Sequence, residues 1–264
     1  MYSYLINAKG RNVMTNKYVS GIRPSGRLHL GNYLGVIKNW KSLQDAGEDC
    51  YFFVADMHGQ YNVDEALKTV KTLANMRIYV NLQSDCMSNL LKLQHELSFH
   101  AKTSRLDNMT QYKDIGGTLA LYAYPVLMAA DILYHKATHV PIGHDQVQHL
   151  ELARDLARAI NSPIIPVGIM VQKGCRIMGL KDPTRKMSKS DVDPDQCIYL
   201  CDSADEIARK IKGATTSNDV NDNTPAAINL NNIYDSFGGM GSYNRWDVFK
   251  KDLTDLIIQE LGAK

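Results

Sequence analysis

Apolar residues from Tyr18 to Ile22 form the pattern of a short buried strand that stops at Pro24-Ser25-Gly26, and from Leu30 onward apolar positions return with helical spacing through Leu34, Ile37 and Leu43. The prediction is strand, turn, helix. Tyr51 to Ala55 is a second strand, apolar throughout as strands covered on both faces tend to be, and it ends in Asp56-Met57-His58. The spacing from Ala66 to Leu82 predicts a helix. His139 to Gly143 is a third strand. It follows a segment rich in Leu, Ala and Met and precedes a helix from Gln146 to Ile160, apolar at Leu150, Leu152, Leu156 and Ile160. Strands alternating with helices predict an α/β fold, a Rossmann-like parallel sheet with helices on both faces. Ligands of such sheets bind beyond the carboxyl ends of the strands. That rule draws together three pieces distant in sequence: the turn from Pro24 to Asn32, the pair Asp56 and His58, and Gly143 to Gln146.

Past Asp191 the periodicity is helical, in Ala204 to Ile211 and Val248 to Leu261, around a loop rich in Asn and Asp from Thr215 to Thr224. The expected division is an N-terminal extension over residues 1–17, a Rossmann-like domain over 18–191 and a smaller helical domain over 192–264.

With 44% hydrophobic and 22% charged residues, the 264-residue chain can bury one sizeable core, or a core plus a small satellite. Disorder, collagen and coiled coil are excluded. The longest nearly uncharged apolar stretch, Leu119 to Ala130, contains Pro125 and is closed by Asp131, short of the roughly 20 residues of a membrane span. No membrane attachment is expected. The first 17 residues carry Lys9, Arg11 and Lys17, no acid and no apolar stretch long enough for a secretory signal, a pattern compatible with a short transit-like leader. Five cysteines (Cys50, Cys86, Cys175, Cys197, Cys201), odd in number and without C-x-x-C, suggest neither a disulfide framework nor structural zinc, and a reducing cytoplasm fits them. Cys197 and Cys201, four apart, read as small buried apolar groups. His135, His139, His144 and His149 span a helix end, a strand and a second helix without a Cys or paired carboxylate to complete a shell, so no metal site is expected. The net charge of +2 is mild, yet Lys173 to Ser190 holds six basic residues against one acid, Asp182, which suits either a solvated loop or a polyanionic ligand.

The run Ser20-Gly21-Ile22-Arg23-Pro24-Ser25-Gly26-Arg27-Leu28-His29-Leu30-Gly31-Asn32 makes a tight turn and then places a His at the start of a helix. Free backbone N–H groups and the positive dipole end favour an anion there, and His29 and Asn32 are neutral donors. The competing reading of His29 is a structural cap. Late in the chain, Lys186-Met187-Ser188-Lys189-Ser190 sets two ammonium groups three residues apart among hydroxyls and amides, suited to a triphosphate tail. No G-x-x-x-x-G-K-[ST] occurs, which removes a P-loop NTPase.

The early His-Leu-Gly-Asn and the late Lys-Met-Ser-Lys-Ser, in this order around a parallel-sheet pattern, resemble the two signatures of class I aminoacyl-tRNA synthetases. Within that class, Tyr124-Pro125-Val126-Leu127-Met128-Ala129-Ala130-Asp131-Ile132-Leu133, with His139 to Gln146 and Gln148-His149-Leu150-Glu151-Leu152, resembles the tryptophanyl-tRNA synthetase family from about Tyr18 to about Leu261. The resemblance implies that Asp131 accepts the indole N–H. It also implies that Met128, Ile132, Val140 and Ile142 line the ring pocket beside Val19 and Gly21, and that Tyr124 with Gln146 holds the ammonium end. For ATP it implies Arg23, Ser25, Gly26, His29, Gly31 and Asn32 in the first signature and Gly143 and Asp145 after the third strand. Ile177 and Lys186, Met187, Ser188, Lys189 and Ser190 complete the ATP set. His29, Asn32, Lys186 and Lys189 would be the catalytic group.

Tyr124, Met128 and Asp131 fall at i, i+4 and i+7, one face of a helix, where plain core packing would not choose a carboxylate that lacks a donor. The related tyrosyl-tRNA synthetases have Gln where this chain has Met128, and the apolar thioether favours indole. Four departures from the family stand out: His144 in place of Glu, Arg23 in place of Gln, a shorter segment from Asn89 to Leu119, and a chain that stops at Lys264 where the family continues through a helical tail. The helical domain is therefore expected to be a shortened one. The implied activity is ATP-dependent formation of tryptophanyl-adenylate and transfer of the acyl group to tRNA(Trp). Mg2+ would be carried on the ATP phosphates, in a cytoplasmic homodimer. The alternatives are a tyrosyl-tRNA synthetase and a paralogue that binds tryptophan or nucleotide without charging tRNA.

Overall fold

The computed structural model describes residues 4–6, 12–14, 16–59, 62–115, 117–170, 177–188 and 193–263. Two short strands, β1 (Tyr4–Ile6) and β2 (Asn12–Met14), pair antiparallel within the stretch read as an extension. β3 (Lys17–Ile22) leads through the Pro24 turn into α1 (Leu30–Asn32), which runs on as a π turn over Tyr33–Ile37 and as α2 (Lys38–Asp45). β4 (Asp49–Val54) is followed by α3 (Val63–Asn75) and by β5 (Asn81–Leu82). The helix expected to reach Leu82 therefore ends early. Arg77 takes φ +61°, in the left-handed region that an L side chain seldom enters, and the chain leaves the helix there to pair Asn81 and Leu82 with Phe53 and Val54.

Four helices follow, α4 (Met87–Ser98), α5 (Thr103–Leu106), α6 (Thr110–Ile115) and α7 (Leu119–Tyr134). β6 (His139–Ile142), α8 (Val147–Ala159) and β7 (Val167–Met170) then complete the α/β part. Pro125 lies inside α7 without breaking it. The strands form one parallel sheet in the order β5-β4-β3-β6-β7, as the alternation of strands and helices predicts. β4 lies on one side of β3 and β6 on the other, so the strand order reverses at β3. β3 and β6 pair through Tyr18 opposite His139, at their amino ends, and Pro141 has no N–H with which to extend that ladder. Their carboxyl ends mark the crevice where doubly wound sheets take ligands.

The chain divides into two compact units. The first comprises Met1–Pro24, Trp40–Val70 and Tyr79–Gln172 and holds the sheet. Its core joins Val19 and Phe53 of the sheet to Leu97, Val126, Ala129, Ala130, Leu152 and Leu156, as α4 and α8 both pack on α7. The second unit comprises Ser25–Asn39, Lys71–Ile78 and Lys173–Lys264, with α9 (Ala204–Lys212), α10 (Pro225–Ser236) and α11 (Trp246–Leu261). A capping box between Ser203 and Glu206 starts α9, and Thr224 before Pro225 starts α10. The units do not part where sequence periodicity changes, near Asp191. The turn from Ser25 joins the late residues because the Leu30 N–H donates to the Ile198 carbonyl and the Leu200 N–H to the Leu28 carbonyl.

His135 at the end of α7 is buried and stacks on Tyr51 with ring centroids 3.7 Å apart. Burial, with Lys17 nearby, pushes its pKa down to about 4. An unfolded His titrates near 6.5, so as pH falls from there toward 4 the unfolded chain takes up a proton that the folded protein refuses. Stability that is fully present above that range is lost across it. Between pH 7.5 and pH 4.5 the urea midpoint of wild type should fall further than that of His135→Phe; an equal loss in both proteins counts against this assignment.

Candidate active site

Within the first unit, α7 carries Tyr124, Met128 and Asp131 at the spacing of one helix face. Asp131 is 2% exposed, and it does not lack donors. Gln83 Nε2 lies 3.0 Å from Oδ1 and 2.9 Å from Oδ2, and His58 Nε2 lies 3.0 Å from Oδ2. The Met57 N–H donates to Gln83 Oε1 at 3.0 Å, which decides the amide's orientation: the oxygen faces the backbone and the NH2 faces the carboxylate. Burial pushes the Asp131 carboxyl above its ordinary range, and His58 and Gln83 pull it part of the way back. A shell made only of donors fits the ionised form. Of about four acceptor positions on a carboxylate, three are taken and one on Oδ1 remains.

Ile132, Val140, Ile142 and Val19 all belong to the buried apolar cluster, and the half-buried Met128 packs against it. Gly21 is exposed near the carboxyl end of β3. Gly143 caps the 3-10 turn His144–Gln146, and a Cβ there would fall 2.7 Å from Asp145 Oδ1, so only glycine lets Asp145 fold back over this corner. Asp145 Oδ2 in turn accepts from Gln146 Nε2 at 2.8 Å. Gln146 Oε1 meets His149 Nδ1 at 3.0 Å, and His149 Nε2 meets Tyr124 Oη at 2.5 Å. Burial pushes the Tyr124 phenol up to about 12, and it pushes His149 below its ordinary range. Arg23, after β3, is exposed.

Two residues of this part were not singled out as binding groups from the sequence. His149 falls on the same side of α8 as Leu152 and Leu156, and a His on an apolar face is a signal that could have found it. Gln83 has no such signal, since its role depends on β5 ending beside the loop after β4.

In the second unit His29 takes extended backbone angles and caps α1. Its Nδ1 accepts the Gly31 N–H at 3.0 Å, and Asn32 Oδ1 accepts the His29 N–H at 3.1 Å. The structural reading of His29 is thus realised, and it sharpens the chemical one. An accepting Nδ1 puts the proton of the neutral ring on Nε2, and an accepting Oδ1 leaves the Asn32 amide NH2 as the donor. Ser25 is half-buried, and Gly26 adopts φ +61°, a left-handed conformation suited to glycine. Arg27 before this helix lies 4.0 Å over the Tyr199 ring and bonds Asp202 Oδ1 at 3.0 Å. The buried Lys210 holds Asp202 Oδ2 at 2.6 Å and the Cys197 carbonyl at 2.9 Å. Cys197 is buried as expected, whereas Cys201 is exposed, because it leaves the chain beside Arg27 rather than on a helix.

Met187 and Ile177 are buried and linked through the Met187 N–H to the Ile177 carbonyl at 3.0 Å, so their side chains anchor the loop. Lys186 is exposed and Ser188, whose carbonyl accepts from Cys197 Sγ, is half-buried. Lys189 and Ser190 lie outside the described residues.

Residues 13–244 match the model of the family described as tRNA synthetases class I (W and Y). A tryptophan–tRNA ligase of Clostridium perfringens is 39% identical over 92% of this chain and 83% of its own. The crystal structure of tryptophanyl-tRNA synthetase from Mycoplasma pneumoniae superposes with a TM-score of 0.74 at 29% identity, covering 94% of this chain and 86% of that one. The enzyme of Campylobacter jejuni, crystallised with ADP and tryptophan, superposes with a TM-score of 0.75 at 27% identity over 93% of this chain and 86% of its own.

Proposed function

Since this chain belongs to the class I tRNA synthetases for tryptophan and tyrosine, we propose that the α7 face carrying Asp131 recognises tryptophan and that the turn at His29 and the loop at Lys186 act on ATP. The activity is that of a tryptophan–tRNA ligase: ATP and tryptophan give tryptophanyl-adenylate and pyrophosphate, and the acyl group then passes to tRNA. The observation that carries the choice of tryptophan is Asp131, a buried carboxylate with a remaining acceptor position on the same helix face as Met128 and Tyr124. An indole offers one in-plane N–H to that oxygen and an apolar ring to Met128, Ile132, Val140 and Ile142. Tyr124 and Gln146 hold the ammonium end, with Val19 and Gly21 beside the ring.

In the first step the substrate carboxylate is already a nucleophile, so no enzyme base and no covalent intermediate is required; alignment and charge stabilisation on the phosphates do the work. The Nε2–H of His29 and the amide of Asn32 donate to the phosphate chain, with Ser25, Gly26 and Gly31 at the same turn. Arg23, Gly143, Asp145, Ile177, Met187 and Ser188 are the further residues assigned to ATP. Lys186 and Lys189, with Ser190, neutralise the departing pyrophosphate. Mg2+ would be carried on the ATP phosphates. No described helix is long and apolar enough to cross a membrane. We further assign the protein to the cytoplasm as a homodimer.

ATP–pyrophosphate exchange assayed with all twenty amino acids tests the reading. Tryptophan-dependent exchange is expected. Tyrosine-dependent exchange would move the protein to the sibling specificity, and absence of exchange with every amino acid would favour a binding protein that does not activate.

A further inference from the structure

Tyr124, His149, Gln146 and Asp145 form one continuous hydrogen-bonded row, and its direction follows from the chemistry of its ends. Asp145 Oδ2 only accepts, so the atom of Gln146 that meets it at 2.8 Å is the amide nitrogen, and Gln146 Oε1 is left facing His149 Nδ1 at 3.0 Å. An amide oxygen only accepts, so His149 Nδ1 carries the proton. The Nε2 of a neutral ring is then a lone pair, and the Tyr124 hydroxyl 2.5 Å away must donate to it. His149 is 2% exposed and sits in the first turn of α8. The groups around it are the Tyr124 phenol of α7, Gln146 and Asp145 of the preceding turn, and His58 after β4. Burial favours the uncharged ring that this row requires.

We propose that His149 is a positioning residue for the amino group of the substrate: it consumes the Tyr124 proton and satisfies one lone pair of Gln146, so that both side chains meet an ammonium as oriented acceptors. Having spent its hydrogen on His149, the Tyr124 oxygen can only accept from a cation. Gln146 has spent an amide hydrogen on Asp145, and its oxygen keeps a second lone pair. The inference rests on the assignment of Tyr124 and Gln146 to the ammonium end. His149 itself bonds the enzyme and not the substrate, and neither a metal nor a proton transfer is involved.

The test compares tryptophan with indole-3-propionate, which keeps the ring and carboxylate and lacks the amino group. Dissociation constants of both are measured by calorimetry on the full chain for wild type, His149→Leu, His149→Gln and Tyr124→Phe. His149→Leu should weaken tryptophan by roughly 10- to 100-fold, the range for a lost hydrogen bond to a charged group, and leave indole-3-propionate unchanged. His149→Gln, whose amide oxygen can still accept from Tyr124, should recover part of the loss and supplies the measurement if the Leu variant does not fold. Equal weakening of both ligands, or of neither, overturns the inference. If Tyr124→Phe abolishes the preference for tryptophan over indole-3-propionate while both His149 variants keep it, only the role of His149 is lost. If Tyr124→Phe also keeps the preference, the ammonium site itself is misassigned and the role of His149 falls with it.

Discussion

Exchange assays on Asp131→Ala are expected to show tryptophan activation cut severely, with the weak activation of phenylalanine hardly altered, so that a discrimination of about 10⁴- to 10⁵-fold collapses. A site built to bond an N–H leaves its own polar group unpaired when the substrate lacks one, and this asymmetry yields discrimination far larger than an apolar slot can reach. Removing the acceptor removes the gain that tryptophan draws from it, which phenylalanine never had. From the sequence alone the substitution would be expected to spare folding, because it deletes a buried charge. The structure revises that expectation. Gln83 Nε2 and His58 Nε2 both face Asp131, so alanine strands the buried Gln83 amide, at about 1 to 3 kcal/mol of stability, and leaves the half-buried His58 without its partner. Asp131→Asn keeps an oxygen for one of them and is the control that separates folding from recognition. A folded Ala variant with near-normal efficiency and selectivity for tryptophan would show that Asp131 is not the indole acceptor.

The second large effect is expected at Lys186. Its side chain is exposed and its backbone bridges Met178, so the loop is built by main-chain bonds and by the buried Met187 rather than by the ammonium group. Lys186→Ala should therefore leave stability nearly unchanged while raising the activation barrier by about 2 to 4 kcal/mol, a reduction in rate of roughly 30- to 1000-fold. Tryptophan affinity, measured without ATP, should stay within about a factor of two because the lysine acts on charge that develops as pyrophosphate departs. A raised Michaelis constant for tryptophan at unchanged turnover would contradict this role. Lys189→Ala is expected to behave in the same way.

Strand β3, the turn and the helix from Leu30 were legible because apolar periodicity and Pro24-Ser25-Gly26 act locally. The same holds for β4, β6, α8, α9 and α11, whose bounds differ from the expected ones by a few residues at most. The segment after Met76 was misread as helix because its propensity is helical, whereas pairing with β4 decides otherwise. Edge strand β7, mostly exposed, has no alternation strong enough to announce it.

For the site, the sequence by itself determined which chemical groups are present and which share an element. Tyr124, Met128 and Asp131 lie on one helix face by a spacing that no tertiary contact can alter. His29 and Asn32 lie three apart at a helix start, where capping is a local matter of backbone donors. What only the tertiary structure decided is the state of those groups. Gln83 reaches Asp131 from 48 residues away, and His149 reaches Tyr124 from 25 residues away. A side chain's protonation, tautomer and remaining hydrogen-bonding capacity depend on burial and on partners brought together by folding. The pattern along the chain could therefore mark Asp131 as costly without naming the donors that make it tolerable.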